Sequence, residues 1–163
     1  MRNEPKLAPV HVRDARPEDA EVIADFNSRM AEETEHRRLD PATVLSGVRE
    51  GLKRPTMCRF FVAELDGRIV GQAMVTYEWS DWRCGAFWWI QSVYVHPDAR
   101  KCGVFRSIYA HLSAMARQDP SVCGLRLYVE KDNHRAMATY RRLGMETSGH
   151  LVFEEDWSGL ASR

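Results

Sequence analysis

Net charge is the first thing this chain lacks: its 23 basic and 23 acidic side chains cancel, so no long-range field gathers nucleic acid or an anionic membrane. Neither is expected as a partner, and any basic patch must be local. No apolar run approaches the ~20 residues of a membrane-spanning helix. Met1-Arg2-Asn3-Glu4-Pro5-Lys6 carries no apolar signal core, so the expected location is cytoplasmic. Cys58, Cys84, Cys102 and Cys123 lack CxxC spacing, which argues against a zinc site and against a disulfide framework. The histidines at 11, 36, 96, 111, 134 and 150 lack metal-ligand spacing as well, and no metal is expected. No spacer rich in Gly, Pro or Ser divides the chain, and no repeat appears, so residues 1–163 read as one domain.

What is present is an alternation of strand and helix signals. Val10 to Arg16 reads as a short strand, and Pro17-Glu18-Asp19 opens a helix to about Met30 with Val22, Ile23 and Phe26 along its apolar stripe. The polar run Ala31 to His36 reads as a break. Asp40-Pro41, a capping residue followed by Pro at the first helical position, starts a second helix to about Leu52. Cys58 to Leu65 and Ile69 to Glu78 read as strands joined by the hairpin turn Asp66-Gly67. Ala86 to Val95 is apolar on both faces, as a central strand covered from both sides would be. A helix from Gly103 to Gln118, a strand from Gly124 to Glu130, a helix from Asn133 to Leu143 and a last strand near Gly149 to Glu154 complete the order βααβββαβαβ.

The most informative segment joins the central strand to the third helix: Val93-Tyr94-Val95-His96-Pro97-Asp98-Ala99-Arg100-Lys101-Cys102-Gly103-Val104-Phe105-Arg106. First-turn amides of a helix lack intrahelical acceptors and sit at the positive end of the dipole, so such a junction holds an anion. Arg100, Lys101 and Arg106 add full charges beside it. Downstream, Ala136, Tyr140 and Gly144 fall on one face of the helix that begins at Asn133.

These two motifs and the element order resemble the GCN5-related N-acetyltransferase (GNAT) superfamily, over about Val10 to Glu154. The family loop is Q/R-x-x-G-x-G/A; here it is Arg100-Lys101-Cys102-Gly103-Val104-Phe105, with Phe105 where Gly or Ala is usual. The family helix N-x-x-A-x-x-x-Y-x-x-x-G is matched from Asn133 to Gly144. The resemblance implies an α/β fold with a mixed, mostly antiparallel sheet flanked by helices, opening where two central strands splay. It implies acetyl-CoA as co-substrate and acetyl transfer to a primary amine by direct attack in a ternary complex. Amides of Lys101 to Arg106 would hold the pyrophosphate, and the backbone of Val93 and Val95 would pair with the pantetheine arm. Asn133 would hydrogen-bond that arm, and Tyr140 would protonate the departing thiolate, which suits a phenol with an ordinary pKa near ~10.

The acceptor side is read from the residues themselves. Glu78 ends a strand beside Trp79, Asp81 and Trp82, and is the candidate proton acceptor; an ordinary solvated edge carboxylate is the competing reading. Glu32 and Glu33, with Glu35, lie between the first two helices, where related enzymes build an acceptor pocket. Trp79 and Trp82 are candidates for a wall against a protonated amine, since their segment is otherwise polar. Phe87 and Trp89 share one strand face, and Trp88 and Ile90 share the other. The aromatic strands also admit a homodimer. The rival to catalysis is a degenerate CoA-binding regulatory or partner-binding module, which Phe105 keeps open.

Overall fold

Local chemistry sets most of the elements. The computed structural model describes residues 9–159. Asp40 accepts a hydrogen bond from the Thr43 amide at 2.8 Å, and Pro41 follows it as the first helical residue, so helix α2 (Pro41–Leu52) starts where sequence chemistry places it. Asp66 and Gly67 both take the left-handed conformation (φ 51° and 73°), the geometry that joins β2 (Cys58–Leu65) to β3 (Arg68–Ser80) in a two-residue hairpin. With β1 (His11–Asp14), β4 (Gly85–Val95) and β5 (Val122–Leu127) these form a five-stranded sheet in the order β1-β2-β3-β4-β5. Every neighbouring pair is antiparallel except β4 with β5. The expected fold, a mixed and mostly antiparallel sheet flanked by helices, is the one found.

The chain divides after Tyr128 into two compact units. In the first, β2 is buried on both faces. Phe61 and Ala63 face α3 (Val104–Gln118) in one cluster with Val75, Trp88, Ile90, Ile108 and Leu112. Phe60 and Val62 face α1 (Ala20–Glu35) and α2 in the other, with Ile23, Ala24 and Val48. Val104, Ile108, Leu112 and Ala116 recur every four residues on α3; Ile108 and Leu112 are wholly buried, each worth about 1.5–3 kcal/mol. Near its start α1 is tied to β1 by Arg13, which donates to Asp19 at 2.7 Å and is also paired with Glu64. Burial opposes charge on Asp19, but the bonds from Arg13 and the Arg16 amide outweigh it and hold the carboxyl below its usual range.

The second unit carries α4 (His134–Arg142), capped by Asn133, whose Oδ1 accepts from the Ala136 amide at 3.0 Å. No strand forms near 149–154, which corrects the last expected element. Leu151, Val152 and Phe153 are 84%, 64% and 92% exposed, and three successive apolar residues supply none of the alternation that a half-buried strand requires. Among the other boundaries, the differences at α1 and β5 are the largest. Helix α1 runs to Glu35 rather than Met30 and stops at His36 (φ 52°); Ala and Glu favour the helix, and the acidic charge near its C-terminus is partly offset by Arg100. Strand β5 covers Val122–Leu127 rather than 124–130, since its ladder with β4 ends at Leu127.

Candidate active site

The feature that organises the site is where β4 and β5 part. They pair from Ala86 opposite Val122 to Ile90 opposite Leu127, and β4 then continues to Val95 on its β3 ladder. Beyond Ile90, among the described residues, β4 has no ladder partner on its β5 side. A strand edge of this kind accepts a peptide-like ligand through backbone hydrogen bonds. Val93 and Val95 lie on this stretch, half-buried.

A bulge interrupts β4 there. Gln72 pairs with Tyr94 but Met74 pairs with Gln91, so Ser92 and Val93 together face the single residue Ala73. Ser92 has φ 49°, an unfavourable conformation for a residue with a side chain.

After β4 the chain makes a short 3-10 turn over Pro97–Ala99 and enters α3 through two left-handed residues, Lys101 (φ 68°) and Gly103 (φ 79°). The amides of Arg100 and Cys102 close back onto Pro97 O and Ala99 O at 3.2 and 3.4 Å. Ser107 is the residue whose amide returns to Gly103 O, so the amides of the first turn, from Val104 to Arg106, precede the helix's own acceptors. A Cβ added at Gly103 would meet nothing within 4 Å, so the turn is open beside the helix start. This cradle fits a phosphate or pyrophosphate. Lys101 and Arg106 are exposed next to it, and Phe105 lies half-buried along α3, its ring 6.3 Å from Tyr109.

Arg100 is committed elsewhere. Its guanidinium is bonded to Glu33 and to Val95 O (3.0 Å), and lies 5.7 Å from the centre of the Tyr94 ring. Tyr94 donates to Glu33 at 2.8 Å. Burial opposes charge on Glu33, yet Arg100 and Tyr94 together hold its carboxyl below the ordinary range. Burial and then the Glu33 carboxylate push the Tyr94 phenol up. The end of α1 is thereby fastened to the strand and turn that precede α3. Glu32, the adjacent candidate, is exposed on α1.

Glu78 sits in a separate cluster: it pairs with Phe87 near the beginning of the β4–β5 ladder, and its side chain reaches along the sheet to the Trp89–Arg126 pair. Arg126 donates to its Oε1 and the Trp89 indole to its Oε2. Arg126 in turn stacks 3.8 Å from the centre of the Phe87 ring, and Trp89 stacks on Tyr128 at 4.3 Å. Trp88 and Ile90 are buried against α3, so the two strand faces separate as the alternation predicts. Trp79 and Trp82 are 63% and 90% exposed. In the second unit, burial pushes the Tyr140 phenol up. No group of three His, Cys, Asp or Glu among the described residues could hold a metal ion, and no described helix is long and apolar enough to cross a membrane.

Sequence reasoning missed Gln72, Tyr94 and Arg126. Gln72 is 2% exposed; its amide nitrogen donates to Asn27 Oδ1 (2.6 Å) and Ser92 O (3.3 Å), and its Oε1 has no hydrogen-bond partner among the described residues. An unpartnered buried carbonyl costs about 1–3 kcal/mol. The signal for it was present in Val70-Gly71-Gln72-Ala73-Met74-Val75, a polar side chain inside an apolar strand.

The site is thus a sheet that parts beside an open, left-handed turn at the start of a helix. The chain belongs to the acetyltransferase (GNAT) family, whose model matches residues 20–145. It is similar to a possible acetyltransferase from Clostridium difficile 630, with 38% identity, a TM-score of 0.84, and 93% of this chain and 98% of that one covered. It shares its fold with a predicted acetyltransferase with acetyl-CoA from Clostridium acetobutylicum, at 14% identity and TM-score 0.72 over 90% and 96% of the two chains. It also shares it with the ribosomal-protein-alanine N-acetyltransferase from Brucella melitensis biovar Abortus 2308, at 16% identity and TM-score 0.74 over 92% and 100%. No curated protein matches the chain.

Proposed function

We propose that this protein transfers an acetyl group from acetyl-CoA, as co-substrate, to a primary amine by direct attack in a ternary complex. The observation that carries the reading is the continuation of β4 past its last pairing with β5, straight into the open, left-handed turn at the start of α3. Acetyl-CoA supplies an activated acyl group and a thiolate leaving group. First-turn amides from Val104 to Arg106, with Lys101 and Arg106 as cations and Cys102 and Gly103 shaping the turn, hold the pyrophosphate. The backbone of Val93 and Val95 pairs with the pantetheine arm, and Val93 N–H donates to the thioester oxygen. Arg100 shapes the turn through Val95 O and Glu33 rather than meeting the phosphates with its side chain.

Glu78, or an ordered water, takes the proton from the amine as nitrogen bonds the carbonyl carbon and the carbon–sulfur bond breaks. Its two oxygens already accept from Arg126 and Trp89, which fixes the carboxylate plane and leaves lone pairs for that proton. Tyr140, a phenol already protonated at neutral pH and pushed further up by burial, gives the thiolate its proton, and Asn133 steadies the arm through its side-chain NH2. Trp79 and Trp82 offer rings to a cationic amine, worth ~0.5–2 kcal/mol; Glu32 and Glu33, at the Tyr94 end of β4, are candidate anionic contacts for a different part of the acceptor. The Brucella protein shares the fold alone, so the acceptor is defined as a primary amine, small molecule or peptide, and no further. One domain, a cytoplasmic location and a homodimer belong to the same reading.

Calorimetry with CoA followed by a broad amine screen that follows CoA release, with mass detection of products, tests it. CoA binding and turnover with at least one amine are expected, and Glu78→Gln should lower acetylation without weakening CoA. Tight CoA binding with no turnover across the screen would support the degenerate CoA-binding module instead. No CoA binding at all would refute both.

A further inference from the structure

We infer that Gln72 is a positioning residue for acetyl transfer, holding the β4 bulge so that the Val93 amide faces the thioester oxygen; this rests on the acetyl-CoA reading above. Three independent features meet at this side chain. The bulge places Ser92 and Val93 opposite one residue of β3 and forces Ser92 into a left-handed conformation (φ 49°), so the local backbone needs an outside contact to keep it there. Gln72, 2% exposed, supplies that contact by donating to Ser92 O. The same nitrogen donates to Asn27 Oδ1 on α1, so a buried polar tie joins β3, β4 and α1 at the bulge.

The orientation of the Gln72 amide follows from its surroundings. Ser92 O is a carbonyl and can only accept, so the nitrogen must face it, and Oε1 is turned to the side where it has no partner among the described residues. An apolar side chain would avoid that orphaned oxygen, but would leave Ser92 O unheld. The consequence for catalysis comes from peptide geometry. Ser92 C=O and Val93 N–H belong to one trans peptide plane and point in opposite directions. Fixing the carbonyl on Gln72 therefore aims the Val93 amide away from β3's Gln72, fixed in advance for charge that develops on the thioester oxygen. Gln72 touches no reacting atom; it acts through Ser92 and Val93.

The test uses Gln72→Met, which keeps the side chain's length and removes the donor, with Asn27→Ala as a second variant that loosens the same amide from α1. Acetyl-CoA labelled with 13C at the carbonyl is bound to each protein, and the thioester C=O stretch is read by isotope-edited infrared difference spectroscopy. In parallel, the Val93 amide resonance is followed in the free proteins. The expected result is a wild-type stretch displaced to lower frequency from that of free acetyl-CoA. In Gln72→Met it should return most of the way to the free value, and in Asn27→Ala part of the way. The Val93 resonance should move in both variants, while affinity for plain CoA stays within about twofold, because the phosphate turn is untouched. Removal of a complete oxyanion donor costs roughly 100- to 1,000-fold in rate, so misaiming one should cost on the order of tenfold. A stretch displaced equally in wild type and variants, or an unmoved Val93 resonance, overturns the role of Gln72 while leaving acetyl-CoA use intact. A bound wild-type carbonyl indistinguishable from the free one overturns it too. A wild-type protein that binds CoA but not acetyl-CoA overturns the acetyl-transfer reading and this inference together.

Discussion

Replacing Gly71 by Ala tests whether the placement of α3 governs the phosphate cradle. Gly71 lies on β3 directly beneath the start of that helix. An added Cβ would stand 2.7 Å from Val104 Cγ1, 3.2 Å from Tyr94 O and 3.5 Å from Ile108 Cδ1. Ordinary carbon contacts lie at about 3.5–4.0 Å, so roughly 1 Å must be relieved. Val104 is β-branched, stiff and only 2% exposed, so its side chain cannot swing aside, and the backbone at the first helical residue has to move. Overpacking of this sort costs about 1–3 kcal/mol. At about 2–4 °C per kcal/mol for a chain of this size, melting should fall by roughly 2–12 °C. The displaced first-turn amides should weaken CoA about three- to tenfold by calorimetry, or ~0.7–1.4 kcal/mol. Val104→Ala alone removes two buried carbons, about 1.5 kcal/mol. In the double variant the clash with Val104 Cγ1 vanishes and only the milder 3.2 Å approach to Tyr94 O remains, so the combined loss should fall short of the sum by about 1 kcal/mol, and CoA affinity should largely recover. Losses that add to within about 0.5 kcal/mol would refute the reasoning, since they would mean that no contact couples the two positions.

Gly103→Ala meets no steric obstacle, so its cost is the left-handed backbone alone, about 1–2 kcal/mol, and the melting shift induced by CoA should shrink; equal shifts by scanning fluorimetry would show that the turn's conformation does not matter to the anion. Tyr140→Phe should leave CoA binding intact and lower turnover of the amine found by the screen by roughly 100-fold, and unchanged turnover with an unchanged pH profile would remove Tyr140 from the acid role. Asp19→Asn should cost about 1.5–3 kcal/mol at pH 7, read by urea melts, because a charge-assisted bond to Arg13 is lost. Since the Asp19 carboxyl is depressed on folding, its contribution is complete above the ordinary value near ~3.9 and is lost as pH falls through the folded value, so wild type and variant should converge below about pH 4. Parallel curves down to pH 2 would exclude that ion pair as the source.

The sequence by itself determined the elements whose causes are local. Asp40-Pro41 starts a helix because one carboxylate satisfies an orphan amide, Asp66-Gly67 turns a hairpin because both residues tolerate positive φ, and the four-residue spacing on α3 defines its buried face. The strand–turn–helix junction at 93–106 was legible for the same reason: it is continuous in the chain. Only the tertiary structure decided what depends on residues far apart in sequence. Glu32 to Glu35 are helical although acidic charge opposes the C-terminal dipole, and Arg100 and Tyr94, more than sixty positions away, hold Glu33 there. Near 149–154 apolar character alone made no strand, because a strand exists only through a neighbour's backbone. The end of the β4–β5 ladder, the Ser92 bulge and the Gln72 amide that grips it arise from register between strands, and register is a property of pairing that no single segment encodes.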